Sequence, residues 1–290
     1  MIEITESTSD VVVVNNGTRP NYIYKNKNPI EQGPENFTYE KTTMWDFPDR
    51  GNWYTHTSQY RGNWSPKIVR NLLHLYSKKG DYVLDPMVGG GTTPVECKLM
   101  KRNSISVDIN PAAINITRRQ LDYECNKETT HKTYVGDARN LDFIDNETID
   151  VILTHPPYAN IIRYSEDIEG DLSRITNYDS FFKEYQKVIK ESFRVLKPGS
   201  YCAIMIGDTH NRGHYVPLST RILLDYLKNG FIIKEEIIKK EHNCFSSINA
   251  PNYKSILLTA HEHLYVMRKP LNSDDSRPNS SYDFFNLNHN

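Results

Sequence analysis

Residues 81–110 read DYVLDPMVGGGTTPVECKLMKRNSISVDIN, and this stretch decides the fold. Its apolar run at residues 82–84 stops before Pro86, since proline has no N–H with which to continue a central strand. The glycines at 89–91 tolerate positive φ and let a backbone come close to a ligand. The threonines at 92–93 can then cap a helix. The stretch therefore predicts a buried strand that turns tightly into a helix.

A second strand follows at residues 105–107, and Asp108 stands at its carboxyl end. A carboxylate in that place can accept hydrogen bonds from both hydroxyls of a ribose. The phosphate-binding pattern G-x-G-x-x-G fails because Pro94 occupies its last position, and no Gly-Lys-Ser/Thr follows the turn. The pattern favours a nucleoside ligand without a pyrophosphate. An ordinary structural turn is the alternative, since glycine turns between strands and helices are common.

A second motif, THPPY, follows the strand predicted at residues 150–153. Its Pro-Pro step makes a rigid turn without backbone donors, so that the carbonyls are left to accept hydrogen bonds from an exocyclic amine. Tyr158 offers an aromatic face on which a planar base can stack. A neutral imidazole nitrogen of His155 can accept from the amine and can also take its proton.

The two motifs resemble those of one enzyme family. DPMVGGGTT is similar to the S-adenosylmethionine (SAM) motif D-P-F-x-G-x-G-T of amino-methyltransferases that act on DNA bases, and related RNA methyltransferases share it. THPPY resembles the family's catalytic S/D/N-P-P-Y/F tetrapeptide, from which it departs at His155. The resemblance implies an α/β fold of the class I SAM-dependent methyltransferases: a Rossmann-like doubly wound sheet with an antiparallel edge strand. It also implies SAM as the cofactor and double-stranded DNA as the partner.

The same resemblance assigns the site residues, and no metal ligand is among them. Ser65 can equally be an ordinary helix cap, and Asp137, which in the family accepts from the adenine amine, can equally cap a turn. The implied catalytic residues are His155, Pro156, Pro157 and Tyr158. The implied cofactor-binding residues are Asn63, Trp64, Ser65, Asp85, Met87, Gly89, Gly91, Thr92, Asp108, Ile109, Asp137, Ala138 and Thr154.

The form of the catalytic motif indicates the target base. Thr154 makes the motif more similar to the T-S-P-P-Y form of cytosine-N4 enzymes than to the D-P-P-Y form of adenine enzymes. We therefore expect a site-specific cytosine-N4 DNA methyltransferase of the restriction-modification type. An adenine-N6 enzyme and a tRNA guanine-N2 methyltransferase are the alternatives. A SAM-binding regulator has no need of the Pro-Pro-Tyr step, and none of the four cysteines follows a proline, as carbon-5 methylation of cytosine would require.

Composition bounds the remaining possibilities. A chain of 290 residues can bury a full core, and its net charge of -1 gives no global positive field for nucleic acid. The four scattered cysteines argue against a zinc site and a disulfide framework, so a reducing cytoplasm is expected. No signal peptide or membrane span is recognised.

We divide the chain into an N-terminal arm (1–43), a methyltransferase domain (44–270) and a disordered tail (271–290). We recognise no large target-recognition domain of the kind that usually follows this motif order, so we expect a second copy of the chain or a cognate restriction endonuclease as candidate partners. The aromatic segment, residues 45–64, holds all three tryptophans among arginines and suits either base stacking or packing. Further predictions are helices at 66–76, 111–123, 181–196 and 216–228, strands at 133–135, 201–206, 231–239 and 256–268, a solvated loop at 159–178, a polar flexible segment at 242–254, and an outward-facing pair, His261 and His263, at the sheet edge.

Overall fold

The computed structural model describes residues 34, 36–58, 60–123, 128–211, 213–242 and 257–271, together with the backbone of residues 2–3. Most of the predicted arm at 1–43 lies outside these ranges. The polar segment predicted at 242–254 lies outside them except for its first residue. The tail predicted at 271–290 likewise lies outside them after Leu271.

One mixed sheet forms the centre of the described chain. Its nine strands lie in the order β1-β5-β4-β3-β6-β7-β11-β10-β2, and β3 to β7 run parallel to one another. This arrangement confirms the predicted doubly wound α/β fold. The strands are β1 (Ile2–Glu3), β2 (Met44–Asp46), β3 (Tyr82–Asp85), β4 (Asn103–Asp108), β5 (His131–Val135), β6 (Ile149–Thr154), β7 (Leu196–Ile206), β10 (Ile232–Lys240) and β11 (His261–Arg268), and β8 (Thr209–Asn211) pairs with β9 (His214–Val216) in a separate hairpin.

The last two strands of the described chain supply the predicted antiparallel pairing. β11 runs antiparallel to both β7 and β10, and it lies between them. β2 forms one edge, because Met44 to Asp46 pair in parallel with the end of β10. The other edge is β1, which runs antiparallel to β5. The addition of β2 beyond β10 was not predicted, because a three-residue strand has no recognisable period.

All the α-helices of the described residues except the last begin at polar or glycine caps, and the last follows Pro217. They are α1 (Pro66–Tyr76), α2 (Thr92–Leu99), α3 (Pro111–Leu121), α4 (Tyr178–Val195) and α5 (Leu218–Lys228). Ser65 Oγ accepts from the backbone N–H of Lys67 and caps α1 as predicted. The cap of α2 is Gly91 at φ +84°, not a threonine. Helix α4 begins three residues before the predicted start, where Asn177 Oδ1 accepts from the Ser180 N–H.

The strands alternate their side chains between two apolar layers. Val83 and Val151 pack with α1 on one face of the sheet, and Leu84 and Ile152 pack with α4 and α5 on the other. Each of these side chains is buried, and full burial of a large aliphatic side chain contributes about 1.5–3 kcal/mol. The two layers account for the sandwich of helices around a central sheet.

The aromatic segment packs against this sandwich. Trp45, Trp53 and Trp64 are only 2%, 8% and 5% exposed. Their burial confirms the packing interpretation of these tryptophans and excludes base stacking on them in this conformation.

The segment at 159–178 is not the solvated loop that was predicted. It contains 3-10 turns at Ala159–Ile161 and Leu172–Arg174, and Leu172 and Ser173 are buried. The Asp171 carboxylate holds the second turn, since it accepts from the N–H and hydroxyl of Ser173 and from the hydroxyl of Ser165. Side-chain hydrogen bonds of this kind leave no apolar period in the sequence.

A buried carboxylate ties the aromatic segment to two helices. Glu96 of α2 accepts from Trp53 Nε1 through Oε1 and from Arg70 Nη1 of α1 through Oε2, both at 2.7 Å. Its Oε1 also lies 2.7 Å from His56 Nε2. Since Glu96 is completely buried, the contacts with these three partners replace the water that its carboxylate would otherwise bind.

Replacing Glu96 by alanine should lower the free energy of unfolding by about 3–5 kcal/mol, because it leaves the buried Trp53 and His56 and a partly buried arginine without their partner. Urea denaturation measures this change. The matched control is Glu166→Ala, which removes an exposed partner of Arg163 and should cost less than about 1 kcal/mol. Equal losses in the two variants would contradict the role given to Glu96.

Candidate active site

The site lies where two neighbouring parallel strands end. β3 and β6 pair in register, with Val83 opposite Val151 and Leu84 opposite Ile152. The glycine turn after β3 and the THPPY motif after β6 therefore leave the sheet side by side at its carboxyl edge. Ligands of open α/β sheets bind at this edge.

A cavity of about 750 Å³ opens over the glycine turn. It joins residues from the aromatic segment, the ends of β3, β4, β5 and β6, and the segment after Tyr158. The predicted site residues on its wall are Asn63, Trp64, Asp85, Met87, Gly89, Asp108, Ile109, Asp137, Ala138, His155 and Pro157.

Asp108 connects the glycine turn to the end of β4. Its Oδ2 accepts from the Gly89 N–H and its Oδ1 from the Asn110 N–H, both at 2.9 Å. Gly89 has φ +53°, and a Cβ there would lie 2.9 Å from the Tyr60 ring. The turn therefore needs glycine both for its conformation and for its close approach to the cavity.

Burial perturbs two carboxyl groups in this cavity. It raises the pKa of Asp108 to about 6, although the hydrogen bonds from Asn110 and Gly89 oppose the shift. Burial also raises the pKa of Asp85 to about 7, against hydrogen bonds from Thr93 and Met87. Ionised carboxylates here would be stabilised by further donors or by a positive charge, so the cavity suits a ligand with hydroxyls and a cationic centre. The ribose hydroxyls and the sulfonium of SAM fit that description.

Asp137 both turns the chain and lines the cavity. Its carboxylate accepts from the N–H and the guanidinium of Arg139, which also pairs with Glu184 at 2.5 Å. The turn-cap role left open by the sequence is therefore present. About a third of the Asp137 side chain remains exposed on the cavity side of the sheet.

Six of the predicted residues do not line this first cavity, and two of these six line the next. Ser65 donates to the Arg50 carbonyl and caps α1. Thr92 donates to Asn63 Oδ1 and so orients the side chain of a residue that does line the cavity. Thr154 is buried. The residues that line neither cavity are Ser65, Gly91, Thr92 and Thr154, and those that line only the second are Pro156 and Tyr158.

A second cavity of about 330 Å³ adjoins the first. Gly62, His155 and Tyr164 belong to the walls of both. Pro156, Tyr158, Ile161, Ile162 and Glu262 complete the wall of the second cavity. His155 therefore stands at the boundary between a space over the glycine turn and a space over the Pro-Pro-Tyr step.

Several cavity residues were missed at the sequence level. Tyr60 and Tyr164 stack with ring centroids 5.9 Å apart at the mouth of the first cavity. Asp171 lines that cavity, and Glu262 lines the second. Tyr60 lies in the aromatic segment, which carried a signal; the others carried none, because they reach the site only through tertiary packing.

The predicted position of His261 and His263 at the edge of the sheet was wrong. β11 lies inside the sheet, and His263 pairs with Glu236 at 2.8 Å and lies 3.5 Å from Asp208. These partners raise its pKa, the Asp208 hydrogen bond most strongly. In the described part of the chain there is no group of three or more metal-ligating side chains, and no helix there is long and apolar enough to cross a membrane.

Comparison with known proteins gives a family match over most of the chain. The model of the N6/N4 methyltransferase family, described as DNA methylase, matches residues 7–119 and 149–287. A tRNA (guanine(10)-N2)-dimethyltransferase of Methanothermobacter thermautotrophicus is 35% identical over 101 residues, which are 34% of this chain and 29% of that protein. The type II methyltransferase M.BsoBI of Geobacillus stearothermophilus is 29% identical over 124 residues, 42% of this chain and 23% of that protein.

The chain therefore spans less than a third of the length of these two relatives. Among solved structures, a SAM-dependent methyltransferase of Methanosarcina mazei has a TM-score of 0.48 and 16% identity, and the match covers 69% of this chain and 97% of that one.

The raised pKa of Asp108 predicts how SAM binding depends on pH. Below about pH 6 this carboxyl becomes protonated and loses its attraction for hydroxyl donors and for the sulfonium. SAM affinity, measured by calorimetry, should fall by up to about tenfold per pH unit below that value. Asp108→Asn should bind about 10- to 100-fold more weakly at pH 8.

Asp85→Asn is the matched control, because Asp85 is also buried and lines the same cavity. It should remove any pH dependence near pH 7 and leave the fall below pH 6. An Asp108→Asn protein that keeps the fall below pH 6 would contradict the assignment to Asp108.

Proposed function

The chain belongs to the DNA methylase family of the N6/N4 methyltransferases, and on that premise we propose that it methylates cytosine N4 in double-stranded DNA with SAM. The observation that carries this proposal is the sharing of His155 between two adjoining cavities. One cavity suits a nucleoside cofactor, and the other suits a planar base. The chemistry in this proposal lies in residues 44–270.

The first cavity supplies the contacts for the cofactor. Asp108 would accept from the ribose hydroxyls, and the turn at Gly89 would let the backbone approach the ligand. Asn63 and Trp64, held by Thr92 and by packing, would cover the methionine part. When bound, SAM supplies an electrophilic methyl group on a sulfonium, which is a good leaving group. Catalysis by the chain is then largely a matter of positioning.

The second cavity supplies the contacts for the target base. The ring of Tyr158 offers a stacking face, and Ile161 and Ile162 give it an apolar wall. A base of duplex DNA must leave the helix to enter, at a cost of a few kcal/mol, roughly, which stacking offsets. Arg61 and Arg163 are exposed next to wall residues in sequence and would bind the flanking phosphates.

The choice of base and the choice of nucleic acid are supported by the motif and by the similarity to known proteins. The threonine at 154 supports cytosine N4 over adenine N6 through the resemblance of the motif. The similarity to a tRNA (guanine(10)-N2)-dimethyltransferase supports RNA guanine N2 as a second candidate. A second copy of the chain, a cognate restriction endonuclease and a cytoplasmic location remain predictions.

Labelled SAM offered with duplex DNA of mixed sequence and, separately, with total tRNA tests the proposal. The products are digested to nucleosides and identified by mass spectrometry. We expect N4-methylcytosine in DNA. N6-methyladenine in DNA would overturn the choice of base, and N2-methylguanine in tRNA alone would overturn the choice of nucleic acid.

Tyr158→Ala should reduce methyl transfer by about 10- to 100-fold, because a stacking face for a base contributes about 1–3 kcal/mol. SAM binding should stay within about twofold, since Tyr158 does not line the first cavity. Filter-binding and methyl-transfer assays measure the two properties. Tyr82→Ala, a change at the partly exposed start of β3, is the control and should alter neither. Equal loss of binding and transfer in Tyr158→Ala would refute the division between the two cavities.

A further inference from the structure

A chain of three partly buried polar groups, on His155, Tyr158 and Glu262, crosses the wall of the second cavity. His155 Nε2 lies 2.6 Å from the Tyr158 hydroxyl oxygen. The same hydroxyl donates to Glu262 Oε1 at 2.5 Å. Glu262 belongs to β11, more than a hundred residues along the chain from the THPPY motif, and no sequence pattern connected the two.

The number of protons in this chain fixes their order. A tyrosine hydroxyl has one hydrogen, and it can be donated to Glu262 or to His155 but not to both. An ionised carboxylate can only accept, so the hydrogen of Tyr158 points to Glu262. The hydroxyl oxygen then accepts from His155, whose proton must be on Nε2.

The surroundings of Glu262 keep it ionised. Burial alone would raise its pKa, but His155, whose Nε2 lies 3.8 Å from Glu262 Oε1, a hydrogen bond with Glu241 and the charge of Lys239 outweigh it and hold the pKa well below the usual range. Lys239 Nζ lies 3.8 Å from Glu262 Oε2 and also pairs with Glu241. Glu241 carries the opposite shift, its pKa being raised to about 7 by burial and by Glu262.

The other nitrogen of His155 is left as a bare acceptor. Nδ1 is buried, and it has no hydrogen-bond partner among the described residues. The ring lies against Trp64 with centroids 5.8 Å apart and belongs to the walls of both cavities. Buried acceptors are normally hydrogen-bonded, so a ligand in one of these cavities is expected to donate a hydrogen bond to Nδ1.

We propose that Glu262 is a positioning residue that acts through Tyr158 to keep His155 in its Nε2–H tautomer, so that Nδ1 receives a proton from the target amine. This inference rests on the proposed function. As the amine nitrogen bonds to the transferred methyl carbon, the carbon–sulfur bond breaks and its electron pair stays on sulfur. The proton released by the nitrogen goes to Nδ1, and the resulting imidazolium is stabilised by Glu262 across the Tyr158 hydroxyl.

This arrangement also accounts for histidine where the family has serine, aspartate or asparagine. An unprotonated Nδ1 offers the same acceptor as those side chains, but only in one of the two neutral tautomers. The network of Tyr158 and Glu262 selects that tautomer before any ligand binds.

The tautomer can be measured in the free protein by ¹⁵N NMR of the histidine rings, with the His155 signals assigned by their loss in His155→Asn. We expect a protonated Nε2 and an unprotonated Nδ1. In Glu262→Gln, whose amide can donate as well as accept, the Nε2–H tautomer should lose its dominance. Glu236→Gln is the matched control, because Glu236 also bonds a histidine of this sheet but lies outside both cavities; its His155 signals should be unchanged.

Kinetics provide the second readout. Glu262→Gln should lower kcat by about 10- to 100-fold, the range for loss of general-base assistance or of its orientation, with SAM binding within about twofold. In a Tyr158→Phe background the same change should have little further effect, because the connection to His155 is already broken.

The outcomes separate this inference from the proposed function. A protonated Nδ1 in the free native protein, or an unchanged tautomer in Glu262→Gln, would overturn the inference whatever the substrate is. Full additivity of Glu262→Gln with Tyr158→Phe would also overturn it. Failure of every nucleic acid as a substrate, with the tautomer result as expected, would instead refute the proposed function.

Discussion

The register between β3 and β6 is the constraint on which the site depends. Parallel pairing of Val83 with Val151 and of Leu84 with Ile152 makes both strands end at one edge of the sheet. A glycine turn leaves from one end and the rigid Pro-Pro step from the other. Because one residue of slip would turn the side chains of either strand to the opposite face, the two apolar layers maintain this register.

Near that edge three carboxyl groups lie where little water reaches them, which disfavours their charged forms. Asp85 is buried and Asp108 is partly buried, and their pKa values are raised to about 7 and about 6. Glu262 is partly buried as well, but His155 and Lys239 lower its pKa. A ligand would give the two aspartates further hydrogen-bond donors. Glu262, in contrast, already accepts from the Tyr158 hydroxyl and lies near Lys239. The two cavities therefore differ in electrostatic state as well as in shape, as a cofactor site and a catalytic network should.

Local signals made half of this site predictable. Proline and glycine mark the turns at Pro86, Gly89 and Pro156, so the strand ends and the doubly wound sheet followed from the sequence. Asp171 and Glu262 were not predicted, since they reach the site through a turn held by side-chain hydrogen bonds and through the pairing of β11 with β7. The short strand β2 was missed for the same reason: its three residues pair with β10 across nearly two hundred positions.

The central claim is that cofactor and target base meet at His155. A crystal structure of the protein with a non-transferring SAM analogue and a cytosine-containing oligonucleotide tests it most directly. The account predicts the analogue's ribose on Asp108 in the first cavity and the base in the second, with its amine within hydrogen-bond distance of His155 Nδ1. A base bound away from the Pro-Pro-Tyr step, or an analogue lying outside the cavity over the glycine turn, would contradict it.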